Sequence, residues 1–201
     1  DAQLKYGSDK PDLRNPLVIC DVSSVFARAD VEFKAFKGTV EKGGVVRAIR
    51  VPNVSDKPRS FFDKLNDWAK GEGAPGLGYI SFEGTEGKGP IAKFVPEGAM
   101  AELKSIAGLQ AGDAVFFVCD KESAAAKLAG KARTKIAEEL GLIEQGVFKF
   151  CWIVDFPMYE MDEKTGKIDF SHNPFSMPRG GLEALNGPDP LAIIANQYDC
   201  V

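Results

Sequence analysis

The six residues Ala114-Val115-Phe116-Phe117-Val118-Cys119 are the longest uninterrupted apolar run in the chain and show no alternation with polar residues. A strand wetted on one side alternates, whereas one covered on both faces does not, so this run is expected at the centre of a sheet. It is about a third of the roughly 18 to 20 residues that cross a bilayer as a helix, so no transmembrane helix is expected. Beyond it Ala125, Leu128, Ala129, Ala132, Ile136 and Leu140 recur at helical spacing. They predict a helix over 122–140, capped by Asp120 and stopped by Gly141, with Glu138 and Glu139 opposing its dipole.

The remaining elements follow the same logic. Residues 6–16 are too polar and proline-broken for a core element and read as a loop. Phe33 and Ala35 alternate with lysines, and after Gly43-Gly44 the run 45–51 puts Val45, Ile49 and Val51 on one face; two antiparallel strands joined by a turn are expected. Ser60 and Asp63 resemble a capping box before a helix over 61–70 bearing Phe61, Leu65, Trp68 and Ala69. Strands are expected at 77–82 and 91–95, and a helix opening at Pro96-Glu97 with Met100, Leu103, Ile106 and Ala107 inward. After Gly146, Phe148, Phe150, Trp152 and Val154 alternate in a strand, 159–170 reads as a hairpin about Lys164-Thr165-Gly166-Lys167, and a last strand is expected over 192–201. The strands at 148–154 and 192–201 read as edges of a larger sheet; on their own they predict local disorder or self-association.

Composition narrows the class. With 201 residues, 44% hydrophobic and 27% charged, the chain is a soluble globular one with one or two cores, not a disordered, collagenous or coiled-coil chain. A net charge of −4 weighs against a general nucleic-acid coat, so any RNA contact must be local. Cys20, Cys119, Cys151 and Cys200 are scattered without a C-x-x-C pair, which reads as buried reduced thiols in a cytosolic protein. The opening Asp1-Ala2-Gln3-Leu4-Lys5 has neither an initiator Met nor an apolar signal and reads as part of a longer chain.

Gly71-Glu72-Gly73-Ala74-Pro75-Gly76 satisfies G-x-G-x-x-G, but it follows a helix where a dinucleotide site must open one, and Pro75 removes a donor. A helix exit and turn is the stronger reading. Gly87-Lys88 lacks the Ser or Thr of a phosphate-cradling loop. His172, the only histidine, rules out a multi-histidine metal site and by composition alone reads as a polar surface residue. Asp199 is either a solvent-facing strand residue or one ligand of a Mg²⁺ whose other ligands are phosphates. Lys121, Lys127, Lys131, Arg133 and Lys135 are either a basic docking patch or an exposed helix face kept soluble, and the acidic balance favours the latter.

Four blocks in fixed order carry a resemblance: Y-G-S-D-K-P-D-L-R at Tyr6 to Arg14, W-I-V-D-F-P-M-Y-E at Trp152 to Glu160, H-N-P-F-S-M-P at His172 to Pro178 and A-N-Q-Y-D-C-V at Ala195 to Val201. With the stretch between them they resemble the bacterial aspartyl-tRNA synthetases over the whole chain, the centre resembling the GAD insertion domain. The resemblance implies an α+β fold: a two-layer, largely antiparallel DCoH-like sheet with helices on one face, plus partial strands of a class II antiparallel catalytic sheet. It implies a catalytic-domain exit segment at 1–23, the insertion domain at 24–146 and a catalytic-domain return segment at 147–201.

The implied activity is an aspartate-tRNA ligase of the cytoplasm, a homodimer that activates L-aspartate with ATP and Mg²⁺ and charges tRNA, with neither membrane nor DNA as partner. By the same resemblance His172 contacts L-aspartate, and Asp199 helps hold the ATP-bound magnesium together with a glutamate expected beyond Val201. Ser8, Asp9 and Lys10 lie in a loop beside the active site. Asn173 departs from the second histidine of many relatives. No second or third class II signature is present, so these residues alone are expected to be inactive and to bind neither ATP nor Mg²⁺ tightly. The insertion domain is expected to be structural or to meet the tRNA acceptor arm. The alternative is the RNA- or protein-docking module of a tRNA-dependent amidotransferase subunit, which shares the GAD domain; the blocks from Trp152 to Pro178 argue against it.

Overall fold

A computed structural model describes residues 1–162, 165–171 and 173–201, which divide into two compact units, 1–147 and 148–201. In the first unit the non-alternating run becomes strand β5 (Ala114–Asp120). It lies at the centre of a five-stranded sheet completed by β1 (Ile19–Asp21), β2 (Val45–Val51), β3 (Gly78–Glu83) and β4 (Glu86–Lys88) in the order β1-β2-β5-β3-β4. Every pairing is antiparallel; Ile49 stands opposite Phe116, and Tyr79 opposite Phe116 from the other side. The antiparallel α+β reading holds.

Helices lie on both faces of this sheet, as the non-alternating run requires and where the resemblance implied helices on one face. Phe116 and Val118 pack with α4 (Arg59–Gly71) and α6 (Glu122–Leu140), whereas Val115 and Phe117 pack with α2 (Ser23–Ala27), α3 (Lys34–Val40) and α5 (Glu97–Ala107). The reason was already present in β5: adjacent residues point to opposite faces, and all of Ala114 to Val118 are buried. The fifth-strand run needs two apolar layers, and the short helices supply the second.

Other expectations need correction. The alternation at 33–37 is a helix, because Phe33, Phe36 and Val40 also lie three and four residues apart; Phe36 meets the Phe26 ring at 4.9 Å and the Phe117 ring at 6.0 Å. The strand expected at 91–95 is a 3-10 turn over Ala92–Phe94. The pairing partner of β3 comes earlier, because Gly84 takes a φ of +61° and closes a two-residue turn between Glu83 and Glu86. Pro58 stands at the N-cap of α4, no Ser60 cap bond forms, and Asp63 instead meets Arg59 at 3.4 Å. Asp120 does not cap α6, whose N-cap is Lys121, while Gly141 closes it at φ +63° as expected. Glu139, against the dipole, is held by Lys135 at 2.7 Å.

Residues 1–23 fold with the centre. The helix α1 (Ala2–Tyr6) leads into the loop, and β1 pairs Ile19 with Ile49. Residues 1–23 thus belong to the first compact unit, which ends at Val147.

The second unit is sparer. Its β6 (Trp152–Ile153) pairs with β9 (Asp199–Cys200), its β7 (Tyr159–Met161) pairs with β8 (Ile168–Phe170) as the expected hairpin, and single bridges join Pro157 to Ile194 and Pro178 to Ala195. The long strands expected at 148–154 and 192–201 thus shrink to two residues each. Met158, Ile193 and Ala195 form its small core. Phe148, Phe150, Trp152 and Val154, one face of the alternation, are 88%, 75%, 64% and 55% exposed.

The two-faced core makes a prediction. Phe116→Ala and Phe117→Ala, though neighbours in the chain, should each lose about 3–5 kcal/mol in urea unfolding, because each empties a different core. A sheet covered on one side only would leave one of the two near neutral.

Candidate functional site

The loop that carries Ser8, Asp9 and Lys10 follows a path set by α6. Gly7 ends α1 in the left-handed region at φ +69°, and its backbone lies directly on the helix. A Cβ at Gly7 would sit 2.4 Å from the Gly130 Cα, and one at Gly130 would sit 2.7 Å from the Gly7 carbonyl oxygen. Only two glycines permit so close an approach, and Gly130 accepts the cost of a glycine inside a helix.

One turn later on α6, Arg133 is 2% exposed. Its Nε donates to the Leu17 carbonyl at 2.6 Å, and its Nη2 donates to the Asp12 and Asn15 carbonyls at 2.9 and 2.8 Å. The guanidinium also lies 5.0 Å from the Tyr6 ring centroid. The buried Asn15 replies, donating from Nδ2 to the Arg133 carbonyl at 3.2 Å and accepting from the Leu17 N–H at 3.0 Å. Burial pushes the Arg133 pKa down from its ordinary value, while the Tyr6 and Asp12 charges oppose that.

Within this frame the loop is locally knit. The Ser8 Oγ accepts from the Lys10 N–H at 2.9 Å, and Lys10 meets Asp9 at 2.7 Å. Arg14 forks onto both oxygens of Asp12 at 2.9 and 2.8 Å and holds that carboxyl below its ordinary range. Loop and helix together wall a shallow groove of about 700 Å³ that Ser8, Lys10, Lys127, Lys131 and Lys135 line.

The basic patch expected on α6 is thinner than its residue count. Arg133 is spent inside the fold, Lys131 meets Glu72 at 2.7 Å, and Lys135 meets Glu139 at 2.7 Å. Pre-paired lysines are what a solvated helix face carries. The G-x-G-x-x-G stretch is a helix exit: Gly73 takes φ +87°, and the Ala74 N–H donates back to the Ala69 carbonyl at 3.1 Å.

In the second unit, Asp199 lies on β9 opposite Ile153, with intermediate exposure. His172 lies outside the described residues, so its expected contact with L-aspartate has no structural account here. Its neighbour Asn173 makes a local turn, its Oδ1 accepting from the Phe175 N–H at 2.9 Å. Asp155 holds a φ of +60°, unusual for a residue with a side chain, and meets Arg179 at 2.6 Å.

Among the described residues no group of three or more His, Cys, Asp and Glu comes together. No helix among the described residues is long and apolar enough to cross a membrane.

Sequence reading missed Arg133 and Gly130 as the seat of the loop. Two signals pointed to them: Arg133 lies four and eight residues beyond Ala129 and Ala125 on the inward stripe, and Gly130 interrupts a helix without ending it.

The thiols divide by environment. Burial pushes the Cys20 and Cys119 thiols up, whereas Cys200 is exposed. In timed labelling at pH 8 with a thiol reagent, Cys200 should react first, and Cys20 and Cys119 only slowly. Equal rates at all three would contradict the burial seen here.

Comparison with known proteins adds the relationship. The GAD domain family matches residues 36–129. Along 99% of its length the chain is 65% identical to the aspartate--tRNA(Asp/Asn) ligase of Beijerinckia indica, covering 34% of that protein. It is 60% identical over its full length to the ligase of the same name from Acidiphilium cryptum, covering 33% of it, and 56% identical to that of Rickettsia bellii, covering 34%. The chain spans about a third or less of the length of the curated relatives it matches.

Proposed function

We propose that this chain, with a GAD domain at its centre and 65% and 60% identity to two bacterial aspartate--tRNA(Asp/Asn) ligases, is part of such a ligase, and that in its full-length protein it serves the activation of L-aspartate with ATP and the transfer of aspartate to tRNA. The observation that carries the reading is that identity runs through both units and not through the GAD domain alone. An amidotransferase subunit that shared only the GAD domain would not match beyond it, so that alternative is not favoured.

In this reading the two units have different tasks. The first is a self-supporting module that carries the Ser8-Asp9-Lys10 loop beside the active site. The second contributes strands to the catalytic sheet, and its exposed Phe148, Phe150, Trp152 and Val154 are the apolar face such a sheet would cover. His172 binds the L-aspartate substrate by hydrogen bonding, in a pocket that selects by leaving no polar group of the right amino acid unpaired. Asp199 gives one carboxylate to the Mg²⁺ that enters with ATP, which neutralises charge on the phosphates. The protein acts in the cytoplasm as a homodimer. Its tRNA substrates include both the aspartate and the asparagine acceptors, as the names of its relatives suggest.

The full-length protein should catalyse aspartate-dependent pyrophosphate exchange, and residues 1–201 alone should show none above the blank. His172→Ala should raise the KM for aspartate by about ten- to a hundredfold, the loss of one charge-assisted hydrogen bond. A full-length protein without exchange activity would sink the proposal. Charging of the aspartate tRNA alone would retain the ligase and remove the second acceptor.

A further inference from the structure

The structure assigns to Arg133, seconded by Gly130, the role of a positioning residue: the last helix of the GAD-containing unit holds the Gly7–Leu17 backbone on one path and so presents Ser8, Asp9 and Lys10 for the reaction. The inference rests on the ligase reading for what the loop does there, and on geometry alone for how the loop is held.

The geometry is that of a clamp and not of a surface contact. Three carbonyls, of Asp12, Asn15 and Leu17, converge on one guanidinium that is almost wholly removed from water. A cation without a carboxylate partner is costly to bury and is accepted where its donors are otherwise satisfied. Here backbone oxygens satisfy it, and satisfying them requires that the chain from residue 12 to residue 17 wrap around the arginine. The fork geometry matters: Nε and Nη2 reach carbonyls five residues apart in sequence, which a lysine ammonium on its flexible stem cannot reproduce with the same directionality.

The other end of the loop is fixed by shape. At Gly7 the backbone touches α6 at Gly130, so the segment between Gly7 and Asp12 is held at both ends against the same helix. Ser8, Asp9 and Lys10 fall in that held segment. The sequence distance makes this a connection between remote parts: 116 residues separate Leu17 from Arg133. The GAD-containing unit thereby acts as a rigid mount for a loop that precedes most of it in the chain, and a displacement of about an ångström at such a loop is enough to cost catalysis heavily.

The test uses the full-length protein with Arg133→Met, Arg133→Lys, Gly130→Ala and, as a control for general destabilisation on the opposite face of the sheet, Leu103→Ala. Hydrogen exchange of peptides covering residues 7–17 reads the clamp, and kcat and KM in aspartate-dependent pyrophosphate exchange read its consequence. Arg133→Met and Gly130→Ala should each lose protection in 7–17 while β5 stays protected, and should lower kcat or raise KM by about tenfold or more. Arg133→Lys should recover part of both, and Leu103→Ala should change neither by more than about twofold. Lost protection with unchanged kinetics would overturn the positioning role, and undiminished protection would overturn the clamp itself. If Arg133→Met fails to fold, Gly130→Ala carries the same decision. A wild-type protein without exchange activity would instead sink the ligase reading, and the hydrogen-exchange arm would still decide whether α6 holds the loop.

Discussion

Burial of β5 on both faces is the constraint from which the first unit follows. Phe116 and Phe117 are adjacent and both fully buried, so apolar layers must exist above and below the same strand. The layer with α4 and α6 is built largely from alanines of α6 against the aromatic stack of Phe62, Tyr79 and Phe116, in which Phe62 lies 4.2 Å from Tyr79 and 5.7 Å from Phe116. Small residues on the helix are what let it approach the strands closely. That same closeness lets α6 receive the Gly7 backbone at Gly130, so the packing of the core and the seating of the loop are two consequences of one small-residue helix.

The parts of this arrangement that could be read from sequence are those in which one signal dominates. β5 lacks alternation, and α6 has nineteen residues of helical spacing ended by a glycine; both were placed to the residue or within one. Where two periodicities fit the same residues, the wrong one could win. Phe33 and Ala35 satisfy a strand's alternation while Phe33 and Phe36 satisfy a helix's three-residue step, and the presence of Phe26 and Phe117 to pack against selects the helix. The helices that cover the second face were missed for a related reason: α2 and α3, five and seven residues long, are too short for a stripe to declare itself.

The candidate site was legible in outline but not in its support. The Tyr6 to Arg14 block drew notice through its motif, yet its polar composition alone suggested only a solvated connector. What makes it more than that is the contact of Arg133 with carbonyl oxygens, and carbonyls leave no trace in side-chain identity. An arginine on an inward stripe can be read as an error in the stripe or as a buried cation seeking acceptors. Desolvation decides between them, because an arginine in the core must find several acceptors, and here the Asp12, Asn15 and Leu17 carbonyls supply them.

The two units differ in how much of their own core they possess. In the first, the sheet separates two extensive clusters, and its buried charges have partners: Arg47 meets Asp21 and Glu122, and Arg50 meets Asp113 at 2.6 Å. In the second, the alternating apolar residues at 148–154 lie exposed, and among the described residues Met158, Ile193 and Ala195 form the one cluster of buried residues. Apolar alternation costs solubility unless something covers it, so a chain that keeps it over four positions has a use for that face. The first unit uses its apolar surface to stabilise itself, whereas in the second Phe148, Phe150, Trp152 and Val154 lie open to water. The Gly7–Leu17 loop and the Arg133 side chain that holds its carbonyls both lie in the first unit, so the contacts that fix the loop are made without the strands that follow.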